Sequence, residues 1–350
     1  MPVFGKLNGN GPFKILNISV HPVLEYDQLG IFEGLGHDIF SVGFYSDRSS
    51  DNGVRPKLPN SPWHQEIGAS FHHFGCRGDN PGSSRWKLSA DFVQQFDIVI
   101  VDHDIDFIND SLDELAGMPV VWRTIGQDSE RTEQIAHRLI PMGMKVARWS
   151  PVQTQLENYA GGDAFIRASA DPDVWKGWTG RNRRIVTFNN DFQQRSESLS
   201  LPFWQQAITD LPVDLYGLRN EGLPIWRGTA SFDEQREILA NSRAAFITGT
   251  SPAPYTLGFI EAWMTGIPVI HIARECAPKG TFEIDILIEN GVNGFIARTP
   301  EEARSIMTRL LDDYELAQRV SVAGRQAAID TFGLSKISSQ WGNFLKSISI

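Results

Sequence analysis

Residues 250–270 read TSPAPYTLGFIEAWMTGIPVI, and this stretch decides how the rest of the chain is read. The apolar run AAFIT at 244–248 reads as a strand that ends in a Pro-containing loop. A helix starts near Thr256, and Gly266-Ile267-Pro268-Val269 feeds the next strand. The first N–H groups of a helix lack intrahelical partners, so those around Thr256, Leu257 and Gly258 form a ready anion site. Glu261 lies about one turn inside that helix. Helical side chains lean toward the N-terminus, which brings its carboxylate within reach of hydroxyls beside a bound anion. A ribose next to a diphosphate presents such hydroxyls. The same glutamate also reads as an early-turn acid that complements the helix dipole.

The alternation extends outward from this stretch. Residues 185–189 (IVTFN), 213–216 and 268–272 read as further strands, and 201–209, 232–240 and 257–265 as helices. Helices fill most of 300–350. The first half repeats the scheme, with strands at 14–20 (KILNISV), 38–45, 97–102 (DIVIVD) and 119–123 (PVVWR). Its helices are expected at 25–35, 87–95 and 128–139. Near-continuous Val/Ile strands separated by helices mark a parallel sheet covered on both faces. Residues 52–68 and 75–84, rich in Pro, Gly, Asn and Ser, read as long surface loops. The halves meet at 176–183 (KGWTGRNR), a Gly- and Arg-rich stretch suited to a hinge. The expected architecture is α/β: two doubly wound Rossmann-like domains, 1–176 and 184–334, facing across a cleft. A C-terminal helix at 335–350 is expected to pack back on the first. Such sheets bind ligands outside the carboxyl ends of their strands, and the fold alone does not name the chemistry.

Bulk properties narrow the classes. A length of 350 residues suits two domains, and 41% apolar residues are enough for two cores. The formal net charge of −10 argues against a nucleic-acid partner, which needs a basic face. Cys76 and Cys276, 200 positions apart, make neither a disulfide framework nor a zinc knuckle, and read as reduced cytoplasmic thiols. Residues 1–13 lack the pattern of a signal peptide, and no run approaches 18 apolar residues, so no membrane span is expected. Peripheral contact with the inner membrane face stays open.

Residues 250–270 resemble the nucleotide-sugar motif of retaining GT-B glycosyltransferases, family 4 in particular, whose usual form is E-G-F-G-L-x-x-x-E-A-M-A-x-G-x-P-V. Residues 283–297 (EIDILIENGVNGFIA) resemble that family's E-I-V-x-D-G-x-N-G-F-L-V. Thr299-Pro300-Glu301-Glu302, Gly324-Arg325 and Phe332 follow at the positions of its terminal helices, and 231–249 resembles the helix and strand ahead of the motif. The resemblance is strong over about 185–345 and weaker before it. It implies a GT-B fold and a donor site in the C-terminal half. Glu261 matches the ribose-binding glutamate. Thr256 and Leu257, flanked by Tyr255 and Gly258, match the backbone that contacts the diphosphate. Arg195 sits where the family places a basic phosphate ligand, with Arg274 or Lys279 as added positive charge. Residues 226–228, with Trp226 and Arg227, match the stretch bordering the base. One departure stands out: the motif's first glutamate, which holds a donor-sugar hydroxyl in the family, is Ala253 here. Thr256 replaces the second glycine.

In the N-terminal half, Gly36-His37-Asp38 resembles the family's G-H-E-V and reads as structural. Residues 21–27 (HPVLEYD) form the loop after the first strand and lack the usual glycine pair. His21 and Glu25 there are acceptor-side candidates. Asp102, His103 and Asp104 end a strand, and are candidates for acceptor binding or proton handling, or else for loop capping. Residues 120–126 (VVWRTIG) resemble the strand on which many relatives carry a histidine near the donor sugar. Ile125 stands there, which turns attention to Arg123 and Thr124 as cleft residues. Asp171, in 168–175 (ASADPDVW), matches the family's crossover segment and reads as organising a hinge. His72, His73 and Cys76 invite a metal reading, but neighbours on a strand point to opposite faces, so no metal site is expected.

The resemblance implies transfer of a sugar with retention from a nucleotide-sugar, a uridine one by default, to a glycan, lipid or small-molecule acceptor. Neither a cofactor nor a metal is expected. The competing readings are a catalytically silent nucleotide or glycan binder, and a GT-B sugar-nucleotide epimerase or hydrolase.

Overall fold

The computed structural model describes residues 3–48, 55–78, 86–279 and 282–350. The chain divides into two compact units, one of Met1–Ala168 with Ile337–Ile350, the other Ser169–Lys336. The division falls ahead of residues 176–183, the expected hinge. That stretch is instead tied into the second unit. The Trp178 indole donates to the Ser242 carbonyl at 2.8 Å and stacks on Tyr314.

The first unit is built on β1 (Lys14–Ile18), α1 (Pro22–Gly34), β2 (Asp38–Val42), α2 (Pro62–His73), β3 (Arg77–Gly78), β4 (Trp86–Lys87) and α3 (Ala90–Val93). Next come β5 (Ile98–Asp102), α4 (Ile105–Asp110), β6 (Val120–Arg123), α5 (Glu130–Leu139), β7 (Lys145–Arg148) and β8 (Ala164–Phe165). Its six-stranded sheet has the order β2-β1-β5-β6-β7-β8, parallel throughout. From β1 the chain goes first to β2 on one side and later to β5 on the other, so the topological switch point lies between β1 and β5. The Ile-Val-Ile-Val-Asp run of β5 is buried along its whole length, as a strand covered on both faces requires.

Three sequence readings change here. Residues 52–68 were expected to be loop, yet α2 begins at Pro62. Its Ser61 cap accepts the His64 N–H, and proline in the first turn lacks only a donor that would have been unpaired anyway. Likewise 21–27 is mostly helix, since Pro22 opens α1. The helix expected at 87–95 shrinks to the single turn of α3, and 79–84 of the second expected loop lie outside the described residues.

The second unit contains β9 (Asn182–Phe188), α6 (Leu201–Ala207), β10 (Val213–Tyr216), α7 (Phe232–Asn241), β11 (Ser242–Ile247) and α8 (Leu257–Thr265). After these come β12 (Val269–Ile272), α9 (Ile284–Leu287), β13 (Phe295–Ala297), α10 (Pro300–Asp312) and α11 (Tyr314–Phe332). The sheet order is β10-β9-β11-β12-β13, again parallel, with the switch point between β9 and β11. Helix α11 lies against α8 through Gly324, where a Cβ would come within 2.7 Å of the Asn293 carbonyl and 2.9 Å of the Trp263 indole nitrogen. Arg325 beside it donates to the carbonyls of Trp175 (2.5 Å) and Pro172 (2.7 Å). Helix α12 (Leu334–Ile348) carries the chain back into the first unit, where buried Trp341 packs edge-on against Phe32 at 5.1 Å.

Candidate functional site

In the second unit the switch point holds a cavity of about 140 Å³, just outside the carboxyl ends of β9 and β11. Asn189, Asn190 and Arg195 line it from the β9 side, Gly249 and Thr250 from the β11 side, and Thr256 and Gly258 from the start of α8. Gly249 has φ +72°, and a Cβ there would meet the Phe282 ring at 2.8 Å and His271 Nε2 at 2.9 Å, so only glycine fits. The loop that follows is pinned at Ser251. Ser251 N–H donates to the Ser198 carbonyl at 2.8 Å, and the Ser251 hydroxyl accepts from Lys279 N–H at 3.0 Å.

Thr256 is the N-cap of α8, in extended rather than helical backbone, and its hydroxyl accepts the Phe259 N–H at 3.2 Å. The N–H groups of Leu257 and Gly258 are left without an intrahelical partner. Arg195 is exposed at the cavity edge, and among the described residues its guanidinium makes no hydrogen bond or ion pair. The adjacent Asp191 carboxylate is taken by Arg219, whose hydrogen bonds hold it below the usual range. Glu261, only 7% exposed, accepts a 2.7 Å hydrogen bond from the Gln235 amide of α7.

The other expected donor residues divide by side chain. Tyr255 is buried with its ring edge-on to Phe332, turned into the core. Trp226 donates its indole N–H to the Gly217 carbonyl at 2.8 Å. Arg227 shares the Asp214 carboxylate with Arg184. Burial raises that carboxylate, but the hydrogen bonds from the two arginines outweigh it and hold Asp214 below the usual range. Arg227 borders a second groove of about 330 Å³ along α7, with Tyr216, Thr229 and Glu234. Ala253, where the motif has a carboxylate, is buried.

The candidates of the first unit lie at or just after the carboxyl ends of β1, β5 and β6. Asp102 ends β5, 1% exposed, with Arg123 Nη1 at 3.8 Å from its carboxylate. Burial raises its carboxyl to about 6 even though the Arg123 charge and the nearby polar side chains of Ser19, Asn17 and Gln28 pull the other way, and neither carboxylate oxygen accepts a hydrogen bond among the described residues. Arg123 does not face open space as expected. It is buried between the Trp149 and Trp341 rings, at 5.0 and 5.5 Å, and donates to Gln28 at 2.6 Å. Thr124 is buried too, its hydroxyl shared by Gln153 and the Trp149 N–H. Glu25 is a loop clamp: its two carboxylate oxygens accept the N–H groups of Phe44 (2.7 Å) and Tyr45 (2.9 Å), and burial lifts it to about 7. His21, lowered to about 4 by burial and then by Arg55, presents an Nδ1 with no partner among the described residues. The same holds for Nδ1 of His103, which burial also lowers and which sits at φ +66°. Asp104 caps α4 by accepting the Phe107 N–H at 3.0 Å.

His72 and His73 lie in the last turn of α2, not on a strand, and Cys76 is buried against Ser89. Among the described residues no group of three His, Cys, Asp or Glu side chains is placed to hold a metal ion, and no helix is long and apolar enough to cross a membrane. The sequence reading missed Gln235, Asn190 and Thr250. Thr250 follows AAFIT with only Gly249 between and was within reach of that reading. Gln235 depends on how α7 packs beside α8 and carries no linear signal.

The chain matches no protein-family model and no curated protein. Solved structures do match over nearly its whole length. HepE of Anabaena in complex with UDP-glucose superposes with a TM-score of 0.62 at 16% identity, covering 96% of this chain and 100% of that one. Sucrose-phosphate synthase from Thermosynechococcus elongatus gives 0.67 at 14% identity, covering 96% and 98%. A glycosyltransferase from Rickettsia africae gives 0.64 at 13%, with the same coverages. The chain thus has the fold of these proteins, GT-B, built from two parallel-sheet α/β Rossmann-like domains.

Proposed function

We propose that this protein is a retaining, metal-independent glycosyltransferase that uses a nucleotide-sugar, in the first instance a UDP-sugar. The observation that carries this reading is the cavity at the β9/β11 switch point. There the Arg195 guanidinium, unpaired among the described residues, and the start of α8 (Thr256, Gly258) line one small volume, with Glu261 one turn further along α8. Free helix N–H groups and an arginine suit a diphosphate, and a carboxylate one turn along suits the adjoining ribose. HepE, a protein of the same fold, holds UDP-glucose.

In this reading Arg195 and the α8 N–H groups bind the diphosphate and stabilise the charge that develops on it as the glycosidic bond breaks. A phosphate oxygen then takes the acceptor proton, so transfer proceeds without a side-chain nucleophile. His21, Asp102 and His103 serve the acceptor side, where neutral imidazoles and a carboxyl raised to about 6 suit hydroxyl groups and proton handling near neutral pH. The acceptor is a glycan, a glycolipid or a small molecule, met in the cytoplasm or at its membrane face.

A thermal-shift screen with UDP, GDP, ADP and dTDP, each with and without EDTA, tests the donor site. At one hundred times Kd a ligand stabilises the fold by about 2.7 kcal/mol. A selective shift unaffected by EDTA, abolished by Glu261→Ala, is the expected result. Silence with every nucleotide refutes it and turns the reading, given Ala253, to a binding protein that has lost its donor.

A further inference from the structure

Gln235 draws attention through its partner. Its amide donates 2.7 Å to the Glu261 carboxylate, and Gly258 and Ala262, three positions before and one after Glu261 on α8, line the switch-point cavity. The amide's own position is fixed by the first turn of α7. Ser231 caps that turn reciprocally with Glu234, and the Gln235 N–H donates to the Ser231 carbonyl at 2.8 Å. Glu234 next to it is occupied by the cap, its carboxylate accepting from both the N–H and the hydroxyl of Ser231. The helix start thus leaves Gln235 as the α7 side chain that meets Glu261.

We propose that Gln235 is a positioning residue that sets the preference of the cavity for a ribose over a deoxygenated sugar. The inference rests on the reading of Glu261 as the carboxylate that receives ribose hydroxyls. A glutamate has three rotatable bonds, and freezing it only when the ligand arrives costs binding free energy. An amide bonded to one carboxylate oxygen before the ligand arrives removes most of that cost, and a hydrogen bond to a charged group is strong enough to hold the rotamer. The gain falls only on ligands whose hydroxyls the carboxylate touches. A nucleotide without 2′ and 3′ hydroxyls draws its affinity from the diphosphate contacts and is indifferent to Gln235.

Calorimetric titration of UDP and 2′,3′-dideoxy-UDP against wild type, Gln235→Ala and Gln235→Lys tests this. Gln235→Ala is expected to weaken UDP about tenfold and dideoxy-UDP by less than about twofold, so that discrimination between them collapses. Gln235→Lys keeps a donor beside the carboxylate and is expected to retain most of the discrimination. Equal loss for both nucleotides in Gln235→Ala, or full discrimination kept, overturns the positioning role while leaving the donor site intact. A merely structural glutamine would weaken both alike. Wild type that binds neither nucleotide overturns the donor site and this inference together.

Discussion

Neutralising Asp102 is expected to stabilise the first unit at neutral pH, although the substitution removes one half of a buried ion pair. Arg123 stands 3.8 Å from the carboxylate, yet burial still raises Asp102 from 3.8 to about 6. The rise means that ionising the carboxyl inside the fold costs more than the arginine returns, by about 3 kcal/mol. The sign follows from proton counting. Between pH 3.8 and about 6 the folded state binds more protons at this site than the unfolded state, so stability falls as pH rises through that window. Below it both states are protonated and the contribution disappears. Asp102→Asn mimics the protonated form at every pH. Arg123 keeps Gln28 as acceptor, and the Trp149 and Trp341 rings as neighbours. The two proteins should therefore be similar near pH 3.5, and the variant more stable by about 3 kcal/mol near pH 7.5. Hydrogen exchange read on peptides spanning β5, as a function of urea, reports the first unit separately from the second. Glu25 complicates the absolute curve, since it titrates near 7 and feels the Asp102 charge. The difference between the two proteins cancels most of that. A difference that does not change with pH would show that Arg123 fully offsets burial and leaves the folded pKa at the unfolded value, and the reasoning would fail.

Other substitutions probe the frame and the site. Gly324→Ala puts a methyl 2.7 Å from the Asn293 carbonyl and should cost about 1–3 kcal/mol, seen as a lower Tm; an unchanged Tm would mean that α11 stands off from α8. Trp341→Ala removes a fully buried indole that packs on Phe32, and should destabilise the first unit by about 3–5 kcal/mol, read as faster exchange in α1. Arg195→Ala should lower kcat about tenfold or more with a smaller change in donor KM; a loss confined to KM would assign the arginine to ground-state binding.

What linear reading recovers here is whatever a single element states by itself. Helix α8 and strand β10 coincide with their expected bounds, because an apolar run, a cap residue and a closing glycine are all local signals. Proline misled the same reading twice. At Pro22 and Pro62 it opens a helix, and the evidence for that is the cap and the face it buries, neither of which a Pro-rich composition displays.

At the site, motif spacing points to the start of α8, and the structure places Thr256 and Gly258 of that stretch on the cavity wall. It did less well for side chains whose direction is set by neighbours distant in sequence. Tyr255 turns into the core because Phe332 of α11 is there, and Arg123 lies between two tryptophans, one of them supplied by the last helix of the chain. Gln235 shows the converse. Nothing about a glutamine in the first turn of a polar helix marks it, and its relevance appears only once α7 lies beside α8 and the amide meets a buried carboxylate. A buried charge needs its hydrogen bonds met, so the partner of such a charge is where a fold most directly reports a role that the sequence does not spell out.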